Sequence, residues 1–168
     1  FSQPLPIRQF LISPSIDPLS DKNREIPEET INQVLKKYSI SKDKPIITQI
    51  SRFDFLKDPV GVIEAFKLVK KSIDCQLILA GGTATDDPES EKVLKLVDKN
   101  AGDDPDIHVL LIPPGSDIEI NALQRASTVI LQKSIKEGFG LTVSEALWKE
   151  KPIVASAVGG IPLQIIDK

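Results

Sequence analysis

Five short apolar runs punctuate this chain, and a stretch with helical periodicity separates each run from the next. The runs are 45–51, 76–80, 107–112, 128–132 and 152–155. They are apolar almost throughout and do not alternate with polar residues. That pattern belongs to strands covered on both faces. Strands that alternate with helices fold as an α/β layer structure with a parallel sheet. The expected fold is therefore Rossmann-like, with helices on both faces of the sheet. In such sheets ligands sit beyond the carboxyl ends of the strands. The loops after Ser51, Ala80, Ile112, Gln132 and Ala155 would share that edge.

The chain divides unevenly. Residues 1–44 read as a proline-rich lead-in with one helix, at 27–38, which puts Ile31, Val34, Leu35 and Tyr38 on one face. Its acids come early and its lysines late, as the helix dipole favours. Residues 45–168 read as the domain proper. Asp58 and Pro59 form a helix start, and Val62, Ile63, Phe66 and Val69 follow on one face. A helix over 88–99 carries Val93, Leu94, Leu96 and Val97. Two more are expected at 117–125 and 142–149. Trp148 reads as core packing, and the lysines of 67–71 as a solvated helix end.

Composition narrows the function. With 168 residues, 40% apolar and 27% charged, the chain can bury one sizeable core. Its net charge of −3 gives no general attraction to nucleic acid or anionic membranes. No apolar stretch approaches the ~20 residues that span a bilayer, and no signal-peptide pattern opens the chain, so a cytoplasmic location is expected. One cysteine, Cys75, allows no internal disulfide and reads as a buried thiol. The single histidine, His108, lies within a strand-like run. One His and one Cys at these spacings make no metal centre. The chain contains no methionine and opens at Phe1. It therefore reads as a piece of a longer protein, with partners of its site expected elsewhere.

The candidate chemistry lies in two loops. Ser134-Ile-Lys-Glu-Gly-Phe-Gly-Leu-Thr-Val-Ser-Glu145 places Glu137 and Glu145 across a glycine-rich turn that opens a helix. A helix N-terminus binds anions, and carboxylates accept hydrogen bonds from hydroxyls. The other loop, Ser51-Arg52-Phe-Asp-Phe-Leu-Lys57-Asp58, sets two cations beside a helix start. Arg52 and Lys57 either hold an anion or pair locally with Asp54 and Asp58. Thr142-Val-Ser-Glu145 also matches a capping box, so Glu145 is either a cap or a ligand. Glu137 is either a ligand or a solvated loop acid. Gly81-Gly82 and Gly159-Gly160 serve tight turns or keep side chains off the same edge.

Taken together, Ser51-Arg52 with Lys57, Glu137-Gly-Phe-Gly-Leu with Glu145, and Pro152-Ile-Val-Ala-Ser-Ala-Val-Gly-Gly-Ile-Pro162 resemble a known family. They are similar to the nucleotide-sugar-binding domain of retaining glycosyltransferases of the glycogen synthase and sucrose synthase type. Three further stretches, 13–23, 47–54 and Asp86-Asp-Pro-Glu89, are similar to trehalose-forming glucosyltransferases of archaea and to related trehalose phosphorylases. The resemblance implies the C-terminal, donor-binding half of a two-domain GT-B fold, cut from an enzyme that moves glucose from a nucleoside-diphosphate-glucose to glucose. The acceptor would be held by an N-terminal domain absent from this chain, and the piece alone would bind donor weakly without turnover. Arg52 and Lys57 would hold the diphosphate and Glu137 the donor-sugar hydroxyls. The amides of Gly138, Phe139, Gly140, Leu141 and Thr142 would meet the sugar and phosphate. Glu145 would bind the ribose, and Ile112 and Pro113 would face the base. Relatives of this type often carry an acid where Leu163 stands here, so no role is carried over at that position. No cofactor or metal is implied, because two cations can stabilise a departing diphosphate. A homo-oligomer and a non-enzymatic sugar-nucleotide module stay open. A dinucleotide oxidoreductase is disfavoured, since no G-x-G-x-x-G follows the first strand.

Overall fold

The computed structural model describes residues 12–82 and 88–166, together with Arg8 and Phe10. Five strands form one parallel sheet: β1 (Ile46–Ile50), β2 (Gln76–Gly81), β3 (Ile107–Leu111), β4 (Val129–Gln132) and β5 (Ile153–Ala155). Their spatial order is β3-β2-β1-β4-β5. Five helices cover the sheet: α1 (Glu28–Lys37), α2 (Pro59–Val69), α3 (Pro88–Ala101), α4 (Asp117–Ala126) and α5 (Leu141–Trp148). The expected Rossmann-like fold is the one observed, and all five expected strands are present. Asp86 and Asp87 of the stretch 86–89 lie outside the described residues; Pro88 and Glu89 open α3.

Two cores follow from this order. On one face Val62, Ile63 and Phe66 of α2 pack with Val93 and Val97 of α3 against Leu77 and Leu79 of β2. On the other, Ile31, Val34 and Leu35 of α1 pack with Ile120, Ala122 and Leu123 of α4 against Ile46, Ile50 and Ile78. Alternate residues of β2 thus feed opposite cores, and every residue of that strand is buried. That is why its sequence shows no polar alternation. The outer strands β3 and β5 are only partly covered, as edges of a sheet are. The lead-in is built into the domain, since α1 contributes to the second core. Cys75 is buried and free, as expected. His108 is a half-buried strand residue whose Nε2 lies 3.2 Å from Gln76 Oε1.

Some sequence expectations fail on packing. Trp148 is 52% exposed and is no core residue; its Nε1 donates to the Asn23 carbonyl at 3.3 Å. The indole needed a partner for its N–H, and that partner lies on the surface turn of the lead-in. Val69 and Leu96 sit on the exposed flanks of their helices. Lys70 is not simply solvated: it pairs with Asp104 and Asp106 at 2.5 and 2.8 Å.

The strand order fixes where a ligand can sit. From β1 the chain winds outward through β2 and β3 on one side, then crosses back to β4 and β5 on the other. The winding direction reverses between β1 and β4. The loops that leave these two strands diverge at that point and open a crevice.

Candidate functional site

The two loops at the crevice are those singled out in the sequence. After β1 the chain makes a short 3₁₀ turn, Phe55–Lys57, capped by Asp54, whose Oδ1 accepts from the Lys57 amide at 3.1 Å. Asp58 then caps α2 by accepting from the Gly61 amide at 3.1 Å. Asp58 adopts φ +45°, a left-handed conformation that aspartate tolerates better than most residues. Its side chain also pairs with Lys133.

Across the crevice, Glu137 lies on the loop after β4. Lys57 Nζ reaches its Oε2 at 2.5 Å, joining residues eighty positions apart. Both side chains are largely buried, at 17% and 12% exposure. Oε2 also accepts from Gln132 Nε2 at 3.0 Å and Ser134 Oγ at 3.3 Å. Oε1 accepts from the Gly138 amide at 3.0 Å and keeps spare lone-pair capacity. Burial pushes the Glu137 carboxyl up, but the hydrogen bond and charge of Lys57, with the Gly138 amide and Ser134, outweigh it. The net result is a carboxylate held below its ordinary value of 4.5. Glu137 is therefore no solvated loop acid. Arg52 does pair locally, with its Nη2 3.2 Å from Asp54 Oδ2, yet it is two-thirds exposed and lines the cleft.

That cleft, of about 290 Å³, lies over the ends of β1, β2 and β3 and the starts of α4 and α5. Arg52, Ile112, Pro113 and Thr142 line it, together with Lys22 and Gly82. Four sequence-predicted residues, from two loops and the first turn of α5, thus meet in one cavity. Glu145 lies buried behind its wall, at 3% exposure. The α5 start differs from the capping-box expectation. Gly140, at φ +85°, is the N-cap, and Leu141 is the first helical residue. Glu145 is then a full turn inside the helix and cannot reach back to the cap. Its Oε2 accepts from buried Gln124 Nε2 at 2.8 Å, and its Oε1 pairs with Lys22 Nζ at 3.0 Å. The Thr142 hydroxyl faces the Ile50 carbonyl at 3.4 Å. Gly138 and Leu141 are exposed, with Phe139 half-buried between them, and none of the three lines the cleft.

A family model described as "Glycosyl transferases group 1" matches residues 30–168, the whole of this sheet and its loops. The chain belongs to the group 1 glycosyl transferases. The "Trehalose synthase" of Thermococcus litoralis is 50% identical over 159 residues, which is 94% of this chain and 39% of that relative. The "Trehalose phosphorylase" of Grifola frondosa is 40% identical over 133 residues, 71% of this chain and 18% of that protein. A glycosyltransferase structure from Rickettsia africae superposes with a TM-score of 0.72 at 23% identity. It covers 84% of this chain and 36% of that one, and it shares the fold. The chain spans less than two fifths of the length of its trehalose synthase relative.

In this group 1 domain the loops at the crevice are held by residues that sequence reasoning passed over. Gln49, 1% exposed within β1, donates from Nε2 to the Lys57 carbonyl at 2.9 Å and accepts from the Lys133 amide at 3.0 Å. The Ile135 amide donates to the Leu56 carbonyl at 2.8 Å. Gln49, Gln124 and Gln132 are all buried, and each sits in an otherwise apolar pattern. A buried amide must find partners, so a glutamine in such a run was the available signal. The glycine pairs also have a specific use. A Cβ on Gly159 would lie 1.9 Å from the Glu137 carbonyl oxygen, and one on Gly81 1.8 Å from that of Ser51. These glycines admit the site's own backbone, and the Gly160 amide donates to the Gly138 carbonyl at 2.8 Å. Among the described residues no cluster of His, Cys, Asp and Glu is arranged to hold a metal, and no helix is long and apolar enough to cross a membrane.

Proposed function

We propose that this chain is the donor-binding unit of a retaining glucosyltransferase that moves glucose from a nucleoside-diphosphate-glucose to free glucose, giving trehalose. The observation that carries the reading is the buried Lys57–Glu137 pair at the point where the sheet reverses. It sits beside a cleft lined by Arg52 and walled on one side by a helix start. The 50% identity to the Thermococcus litoralis trehalose synthase supports the choice of sugar.

On this reading each group has one task. Arg52 offers a planar fork to the diphosphate, and Lys57 a point charge with donors beyond the one given to Glu137. As the glycosidic bond breaks, negative charge grows on the diphosphate, and these cations stabilise it. The amides of Phe139 to Thr142, just before and at the start of α5, offer donors to the same anion, while that of Gly138 serves Glu137. Glu137 Oε1 accepts from a sugar hydroxyl, which fixes the ring for attack on the anomeric carbon. Ile112 and Pro113 flank the base, and Glu145 takes the ribose. The acceptor sugar belongs to a second domain, and residues 1–44 form the lead-in between the two.

The test is Arg52→Ala and Lys57→Ala in the full-length enzyme, assayed for trehalose formation from each nucleoside-diphosphate-glucose. Loss of a hydrogen bond to a charged group is worth about 1.5–3 kcal/mol, or roughly 10- to 150-fold in kcat/KM. Turnover within threefold of wild type in both variants would remove the assignment. The Grifola frondosa relative favours a second reading, a trehalose phosphorylase. Release of glucose 1-phosphate from trehalose and inorganic phosphate, without any nucleotide, would establish that reading instead.

A further inference from the structure

The stretch 13–23 of the lead-in has a sequence as distinctive as the loops, yet the donor site described so far gives it no role. In the structure its turn is fastened to the domain at several points. Asn121 Nδ2 donates to the carbonyls of Asp21 and Arg24 at 2.9 and 2.8 Å. Arg125 Nη2 reaches the Asn23 and Arg24 carbonyls, both at 3.2 Å. Trp148 Nε1 takes the Asn23 carbonyl as well, and buried Lys149 donates to Asn23 Oδ1 at 3.0 Å. The one side chain that this fixed turn sends into the cleft is Lys22.

Lys22 is placed with some economy. Its Nζ lies 3.0 Å from Glu145 Oε1, while its side chain stays 36% exposed. The other Glu145 oxygen is committed to Gln124 in the core. Lys149, the residue that follows α5, donates its hydrogen bond to Asn23 Oδ1. A buried carboxylate needs a cationic partner to stay charged, and among the described residues Lys22 is the one paired with Glu145. An ammonium donor that lines the cleft is thus backed by a buried carboxylate acceptor. A vicinal diol asks for that combination, because each hydroxyl both donates and accepts.

We propose that Lys22 and Glu145 together recognise the ribose diol of the bound nucleotide, so that the lead-in supplies a specificity-determining residue of the donor site. The proposal rests on the donor reading above. Lys22 Nζ donates to one ribose hydroxyl and keeps Glu145 oriented to accept from the other. The pair therefore selects ribonucleotides over 2′-deoxyribonucleotides.

Calorimetry on the full-length protein tests this with uridine, adenosine and guanosine diphosphates and their 2′-deoxy counterparts. Wild type should prefer the ribonucleotide by about tenfold or more, the worth of one hydrogen bond to a charged group. In Lys22→Met that preference should fall below about threefold, while affinity for the deoxy form stays within about twofold of wild type. Lys22→Arg should retain the preference and Lys22→Gln should lose most of it, so a poorly folding Met variant leaves the comparison intact. An unchanged ratio in folded Lys22→Met or Lys22→Gln overturns the proposal. Equal weakening of both nucleotides also overturns it, because that identifies a phosphate contact. Failure of wild type to bind any of the nucleoside diphosphates overturns the donor reading itself, and with it this proposal.

Discussion

Glu137 is held from four directions, by Lys57, Gln132, Ser134 and the Gly138 amide. Lys57 supplies the only full positive charge among them. Removing it strands a mostly buried carboxylate, so Lys57→Met should destabilise the fold by about 2–3 kcal/mol, less than a fully buried pair would lose. Urea midpoints at neutral pH would read this. The same pair sets an acid limb. Because the folded carboxyl lies below 4.5, its stabilisation is present above that value and is lost as pH falls through the lower folded value. The stability gap between wild type and Glu137→Gln should therefore shrink as pH falls below 4.5, in paired denaturation curves.

Among the elements, the glycine-flanked turn before α5 is the most constrained. Gly159 adopts φ +56° and leaves no room for a Cβ beneath the Glu137 carbonyl. Gly159→Ala should cost more than about 2 kcal/mol, since left-handed strain alone accounts for about 1–2 kcal/mol. It should also lower kcat/KM beyond what the melting temperature predicts, because the displaced backbone carries Glu137. Strands and helices were legible in the sequence to within a residue or two, since apolar runs and Asp58-Pro59 report local preference directly. The pairing of Lys57 with Glu137 was not, because it depends on β1 and β4 being neighbours, and strand order leaves no mark in local pattern. The Gly140 cap was hidden for another reason: a capping-box match at Thr142 competes with it, and only backbone geometry decides. Lys22 escaped because a loop lysine looks the same whether it faces solvent or a buried acid.

At the scale of the molecule, lead-in and domain are joined through charge. Lys149, buried against Asn23, is held down to about 8 by burial; nearby Glu145 pulls its value up and Arg125 and Lys22 pull it further down. The unfolded lysine keeps its proton until about 10.5. Between those values the unfolded state binds more protons, so stability should rise with pH. The stability of wild type relative to Lys149→Met should therefore increase from pH 8 to pH 10, as denaturant midpoints at three pH values would show. Lys151 is also held low by burial, but it is present in both proteins and cancels in the difference.

The order β3-β2-β1-β4-β5 has a consequence for how such a site can change over generations. The wall at Ile112 and Pro113 leaves one strand, the cations leave a second and the acid turn leaves a third. No covalent neighbour of one wall belongs to another. The wall at Ile112 and Pro113 can therefore drift, or be exchanged, while the Lys57–Glu137 contact and its Gln49 support stay as they are. A lineage built on this scaffold can vary the crevice one loop at a time without dismantling the contact at its centre.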